Sequence, residues 1–227
     1  AGQRCSALRC LYVQEDIAET TINMLIGAMD ELSIGDPAKI NTDVGPVIDE
    51  AAKIIIDNYI AKAQLCGQII HSVRVGDHGF FVSPTLIRIN SIKELEREIF
   101  GPVLHIATFK SDKLIDVIEA VNNKGYGLTF GLHTRIDSRV QEVCEQLNVG
   151  NIYVNRNQIG AVVGTQPFGG EGLSGTGPKA GGPNYLHRFL RFPEKYPCET
   201  WDDPCDFEFL TDLLSKIVNQ KQIDIKE

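Results

Sequence analysis

The sequence predicts an α/β layer structure, a mostly parallel sheet with flanking helices, and three observations carry that prediction. Apolar runs of strand length alternate with stretches of 3.6-residue periodicity, the order of successive β–α units. Hydrophobic residues make up 43% of the 227 and charged residues 23%, an ordinary globular balance that rules out wholesale disorder. Glycine and proline gather in the joints, with Gly35, Pro37 and Gly45 in one and nine glycines between Gln158 and Pro183 in another.

Taken in order, Leu8 to Val13 reads as a buried strand. Asp16 to Leu32 follows as an amphipathic helix with Ile17, Thr21, Met24, Leu25, Ala28 and Leu32 on one face. Ser33 to Gly45 is loop, and Ile48 to Leu65 a second helix, burying Ala52, Ile55, Ile56, Tyr59, Ile60 and Ala63 and stopping near Gly67. Gln68 to Val75 and Phe80 to Ile89 are strand candidates. Ser111 or Asp112 is expected to cap a third helix with Leu114, Val117, Ile118 and Val121 inward, and Asp137 a fourth with Val140, Val143, Cys144 and Leu147 inward. The glycine-rich strand Gly127 to Leu132 lies between them, and Asn151 to Asn155 is a short strand after them. Gln158 to Pro183 is too rich in glycine for helix or central strand; embedded Val162, Val163 and Phe168 favour an ordered loop. Tyr185 to Phe192 is a strand candidate and Phe207 to Val218 a last amphipathic helix.

Composition bounds the partners. The net charge is −8, from 22 basic and 30 acidic residues, and no basic block occurs, so nucleic acid is disfavoured. No run of 18 apolar residues occurs, so no transmembrane helix is expected. Cysteines at 5, 10, 66, 144, 198 and 205 form no C-x-x-C pair and no zinc spacing, which suggests reduced thiols in the cytoplasm and no metal site. The chain opens at Ala1-Gly2-Gln3-Arg4-Cys5, without methionine or leader, and is therefore expected to be a piece of something longer.

Three features could carry chemistry. Cys5 lies between small and cationic residues just before a buried strand, where Arg4 and local amides could favour a thiolate; the alternative is an inert, half-buried thiol. In Glu98-Ile99-Phe100-Gly101-Pro102-Val103, a carboxylate beside an aromatic and a Gly-Pro turn could accept hydrogen bonds from sugar hydroxyls, or simply be a solvated glutamate. The glycine-rich stretch offers backbone N–H groups that could cradle an anion, or could be a connector. Gly172 to Gly177 loosely resembles a dinucleotide fingerprint, but no βαβ unit surrounds it. The five histidines lack metal or triad spacing.

In this order, these segments resemble the C-terminal catalytic half of an NAD(P)-dependent aldehyde dehydrogenase, over residues 1 to roughly 192. Gly2-Gln3-Arg4-Cys5 is similar to the nucleophile motif and Glu98 to Val103 to the cofactor-ribose motif. Gly45-Pro46-Val47-Ile48, Phe81 to Leu86 and Pro167-Phe168-Gly169-Gly170 match as well. Cys5-Ser6-Ala7-Leu8-Arg9, Asn157 to Gly164 and Gly175 to Pro183 narrow the resemblance to L-glutamate γ-semialdehyde (Δ1-pyrroline-5-carboxylate) dehydrogenases, above all the C-terminal module of bifunctional proline utilization A proteins.

The resemblance implies an aldehyde dehydrogenase catalytic-domain fold without the Rossmann-type cofactor domain, and NAD as cofactor. It casts Cys5 as the nucleophile that forms a thiohemiacetal and then a thioester, with its own N–H in the oxyanion hole. Glu98 would hold the nicotinamide ribose and Phe100 pack near the ring. Gly160 and Ala161 amides with the Ser6 hydroxyl would anchor the substrate carboxylate, Phe168 would pack on its methylene chain, and Arg4 would raise the local positive potential. The general-base glutamate and the oxyanion asparagine lie outside these residues, so the isolated chain is expected to have little or no activity. A flavin (FAD) would belong only to the proline dehydrogenase domain of a bifunctional parent, which could also associate peripherally with a membrane. Residues about 185–192 are similar to an oligomerisation strand, which implies a homo-oligomer, with 193–227 a tail carrying one helix. Two alternatives stay open: an aldehyde dehydrogenase of other specificity, and a non-catalytic assembly module that kept the fold.

Overall fold

The computed structural model describes residues 1–76, 78–162 and 164–189. Ala1–Tyr185 is one compact unit; of the second, only residues 186–189 fall within the described range. The elements are β1 (Cys10–Gln14), α1 (Glu15–Asp30), α2 (Glu50–Leu65), β2 (Ile69–Ser72), β3 (Thr85–Arg88) and β4 (Val103–Phe109). They continue with α3 (Leu114–Asn122), β5 (Tyr126–Gly127), β6 (Thr129–Leu132), α4 (Asp137–Gln146), β7 (Asn151–Val154) and β8 (Glu171–Gly172). Short 3₁₀ turns lie at Ile92–Glu94, Ser111–Lys113 and Tyr185–Phe189.

The main sheet has the order β1-β4-β3-β2, with β1, β4 and β3 parallel and β2 antiparallel at the edge. Side chains alternate across a strand, so neighbouring residues feed opposite layers. Ile87 and Ala107 pack with Val47, Ile56, Ala63, Val82 and Val103 in the α2 layer, while Leu86 and Ile106 pack with Val13, Ala18 and Ile22 in the α1 layer. Burial on both faces is what a parallel sheet requires. A third cluster, Ile118, Val143 and Leu147 with Phe130 and Ile152, packs α3 and α4 on the parallel pair β6–β7.

Parallel pairing decides where the lead-in segments meet. Cys10 pairs with His105 and Thr85 with Val103, so the segments preceding β1, β3 and β4 all arrive at one end of the sheet. Those segments carry Cys5, Phe81 to Pro84, and Glu98 to Pro102.

Several expectations need correction. The α1 stripe is rotated by about one residue: Ala18 and Ile22 are buried with Leu25, Ile26 and Met29 against them, whereas Ile17 is 57% and Met24 72% exposed. The helix carries two apolar stripes of equal period, and periodicity cannot choose between them. Ile55 of α2 is exposed for the same reason. The expected Ser111 or Asp112 cap is not made: those residues form a 3₁₀ turn, and α3 begins after Lys113 without a side-chain cap. Asp137 is the first residue of α4 rather than its cap. Residues 185–189 form a 3₁₀ turn, not the expected strand. A strand needs a neighbour to take its N–H and C=O groups, whereas such turns are satisfied locally, as in the Tyr185 N–H bond to the Gly182 carbonyl (3.1 Å). Residues 190–192 and the Phe207–Val218 helix lie outside the described residues.

Candidate active site

The segment around Cys5 is a tight turn. The Ala7 N–H donates to the Arg4 carbonyl at 3.1 Å, leaving Cys5 and Ser6 as the two central residues. They face opposite ways: Cys5 is exposed and Ser6 only 2% exposed. The buried Ser6 Oγ accepts the Gly160 N–H at 3.0 Å, across 154 residues of sequence. Gly160, at φ +68°, is held from its other side by the Tyr153 hydroxyl, which donates to its carbonyl at 3.3 Å. A hydroxyl has one proton and two lone pairs, so Ser6 still has a proton to donate. The structure thus brings Cys5, Ser6 and Gly160 together, with Ala161 next in the chain.

The segment 98–102 lies against this turn. The Cα of Gly2, at φ +66°, approaches the Gly101 carbonyl so closely that a Cβ there would sit 2.1 Å from its oxygen. Ile99 is buried in the α2 layer, which turns its neighbours Glu98 and Phe100 outward. Arg9, which received no role from sequence, reaches both segments. Its Nε donates to Glu98 Oε1 at 3.0 Å, its Nη2 to the Arg4 carbonyl at 2.8 Å, and its Nη1 to the Gly2 carbonyl; its guanidinium carbon lies 4.4 Å from the Phe100 ring centroid. The Arg9 carbonyl accepts from both the backbone N–H (3.0 Å) and Nδ1 (2.9 Å) of His105. His105 is 1% exposed, and its Nε2 lies 2.7 Å from the Tyr59 hydroxyl of α2. The carbonyl can only accept, so the proton sits on Nδ1 and Nε2 takes the Tyr59 proton. Burial lowers the His105 pKa, opposed by its bond to the Arg9 carbonyl, and burial with Glu94 and Glu96 nearby raises that of Tyr59, so both stay neutral. Burial also pushes the Cys10 thiol up to about 12, which makes it a poor nucleophile.

The glycine-rich stretch is ordered by β7. Asn151 donates to the Pro167 carbonyl at 2.9 Å and accepts the Gly169 N–H at 3.2 Å, Phe168 exchanges backbone bonds with Ala180, and Lys179 Nζ donates to the Gly150 carbonyl. Asn151 was another residue sequence reasoning missed; it opens β7, outside the glycine-rich stretch it fastens. Phe168 is half-buried on this frame, and its backbone bonds run to Ala180 rather than to the Cys5 turn. Gly172 to Gly177 is a short antiparallel bridge followed by turns, not a strand-to-helix phosphate loop. Among the described residues, no cluster of three histidine, cysteine, aspartate or glutamate side chains could hold a metal, and no helix is long and apolar enough to cross a membrane.

The aldehyde dehydrogenase family matches over residues 1–193. The chain belongs to this family. It is 52% identical over 198 residues to the bifunctional protein PutA of Klebsiella aerogenes, covering 84% of this chain but 15% of PutA. Among solved structures it is similar to Bradyrhizobium japonicum proline utilization A, at 51% identity and TM-score 0.80, covering 83% of this chain and 19% of that one. It is also similar to a 1-pyrroline-5-carboxylate dehydrogenase from Thermus solved with bound NAD, at 35% identity and TM-score 0.76, covering 84% of this chain and 37% of the other. The α/β fold is therefore that of the aldehyde dehydrogenase catalytic domain, and the chain spans well under half the length of these relatives.

Proposed function

We propose that this chain is the nucleophile-bearing part of an NAD-dependent dehydrogenase that oxidises L-glutamate γ-semialdehyde, the open form of Δ1-pyrroline-5-carboxylate, to L-glutamate. One observation carries the reading. The turn that exposes Cys5 seats its neighbour Ser6 on the Gly160 N–H, so a nucleophile and a fixed hydroxyl with its proton free for an anion share one short segment. An aldehyde whose far end is a carboxylate fits such a pair. The names of the relatives support the same substrate.

In this reading the Cys5 sulfur adds to the aldehyde carbon, and the Cys5 backbone N–H stabilises the resulting oxyanion. The Gly160 N–H is taken by Ser6 Oγ, so Ser6 donates its own proton to the substrate carboxylate beside the Ala161 amide, with Gly160 holding Ser6 in place, and Phe168 covers the methylene chain. Arg4 adds positive potential locally; screening over about 8 Å makes such near donors outweigh the net charge of the chain. Glu98 is an acceptor suited to ribose hydroxyls, and Phe100, 42% exposed with Arg9 against its ring, offers an apolar surface to a flat ring, so these residues fit the nicotinamide-ribose end of NAD. Bound NAD would take the hydride as the carbon on sulfur becomes a thioester. Water then releases the acid and frees Cys5, so aldehyde, water and NAD⁺ give carboxylate, NADH and two protons. The same reading makes the protein a cytoplasmic homo-oligomer, which sedimentation and fractionation test.

A full-length dehydrogenase containing this chain tests the function. It should form NADH and L-glutamate from the semialdehyde, and Cys5→Ala should abolish both. Equal turnover of aldehydes lacking a carboxylate would reassign the specificity; undiminished turnover by Cys5→Ala would refute the reading. The isolated chain should show little or no activity.

A further inference from the structure

We propose that Arg9 is a positioning residue that locks the Cys5 turn to the Glu98–Phe100 segment and so sets the distance between nucleophile and nicotinamide; this deepens the dehydrogenase reading and rests on it. The guanidinium makes one bond to each of two carbonyls of the nucleophile segment, Gly2 and Arg4, and one to the Glu98 carboxylate, while its face covers Phe100. Three N–H donors in a rigid plane, plus the π-face of that plane, are used at once. Its side chain is 14% exposed against 37% for Glu98, so the pair is not a freely solvated surface contact.

The base of the clamp is itself fixed. The Arg9 carbonyl takes two bonds from His105 of β4, and His105 is held by Tyr59 of α2. The Arg9 backbone therefore cannot drift without breaking both of its bonds to His105 of β4. Two consequences follow for the chemistry. Bonding at Oε1 orients the Glu98 carboxylate and leaves Oε2 to receive a ribose hydroxyl. Capping the Arg4 carbonyl holds the turn that displays Cys5, because that carbonyl also closes the turn through Ala7. Hydride transfer requires near-contact geometry, so a residue that spans both partners governs it without touching either.

The test uses the full-length dehydrogenase and two readouts apart from turnover: NAD affinity by calorimetry and the rate of Cys5 alkylation by iodoacetamide. Arg9→Met should weaken NAD binding about tenfold and shift the alkylation rate by a similar factor, the scale of losing one charged hydrogen bond at each end. Arg9→Lys keeps a charge beside Glu98 but not the fork, so it should restore most of the NAD affinity while the alkylation rate and kcat stay altered. A role in stability alone would lower Tm and leave both readouts of the folded variant unchanged. Wild-type NAD affinity and alkylation in folded Arg9→Met overturn the proposal; if that variant does not fold, wild-type values of both in Arg9→Lys overturn it. If the wild type binds NAD but oxidises another aldehyde, the substrate reading fails while the two binding and labelling readouts still decide on Arg9.

Discussion

Replacing Gly2 by alanine is a small change with a large expected effect. A Cβ at this position would lie 2.1 Å from the Gly101 oxygen and 2.8 Å from its carbon, both backbone atoms that no rotamer can move aside. To reach ordinary contact near 3.4 Å, one segment must retreat by about 1.3 Å, a displacement of the size that costs on the order of 100-fold in rate when it separates reacting groups. The φ of +66° adds about 1–2 kcal/mol for any residue with a Cβ. Gly67→Ala is the matched control: φ is +68° and nothing lies within 4 Å, so it meets the backbone term alone. In the full-length enzyme, Gly67→Ala should lower Tm and leave kcat/KM unchanged. Gly2→Ala should lower Tm by at least as much and reduce kcat/KM for NAD by one to two orders of magnitude, about the factor given for such a misplacement. Steady-state kinetics with thermal melts of both variants make the comparison. If Gly2→Ala retains kcat/KM within twofold, about 0.4 kcal/mol, the seating of residues 98–102 against the nucleophile turn is not what positions the cofactor.

Other outcomes follow from the same contacts. Ser6→Ala removes the acceptor of a half-buried amide, which should cost about 1 kcal/mol in denaturant melts, raise the KM for the semialdehyde and leave the KM for NAD unchanged. His105 is held below its unfolded pKa of about 6.5, so the unfolded chain binds a proton first as pH falls. Stability is therefore complete above about pH 6.5 and falls by up to about 1.4 kcal/mol per unit below it until the folded pKa is reached; His105→Gln should flatten that limb in melts at pH 5 to 7. Under a mild alkylator followed by mass spectrometry, Cys10 should label far more slowly than Cys5, because burial keeps its thiol protonated; equal rates would contradict its packing against the α2 layer. Cys66 is also exposed, so a faster reaction at Cys5 than at Cys66 reports reactivity rather than access.

The sequence revealed elements better than faces. The single strand read at Gly127 to Leu132 proved to be β6 with the end of the two-residue β5, while the four helices were legible as an apolar period, because period survives whatever the helix packs on. The face of α1 was not, since Ile17 and Met24 belong to a second stripe of the same period. Tyr185 to Phe192 read as strand because aromatic and aliphatic residues suit a sheet, yet strand formation depends on a neighbour that sequence does not supply. The motifs singled out Cys5, Ser6 and Glu98, whereas nothing in the sequence singled out the bonds that Arg9, His105 and Asn151 make around them. Their roles arise from bonds across 89, 96 and 16 or 18 residues, which no local pattern encodes.

The fold explains why two motifs 93 residues apart act as one. Cys5 precedes β1 by five residues and Glu98 precedes β4 by five, and β1 and β4 are adjacent and parallel. Parallel neighbours must deliver their lead-in segments to the same end, so the meeting of the Cys5 and Glu98 segments is a property of strand direction. In open α/β sheets ligands usually gather beyond the carboxyl ends of the strands; here Cys5 and Glu98 lie before the amino ends of β1 and β4. The difference has a cost in local order, because a lead-in loop has no helix N-terminus to organise it. This chain meets that cost with close backbone contact at Gly2–Gly101, the buried Ser6–Gly160 bond and the Arg9 fork. Each of the three joins the Cys5 segment to a distant part of the chain through contacts outside the core. Weakening any one should therefore disturb catalysis before it disturbs folding, whereas a core change such as Ile106→Ala should do the reverse, costing about 2–5 kcal/mol while folded molecules keep the wild-type kcat.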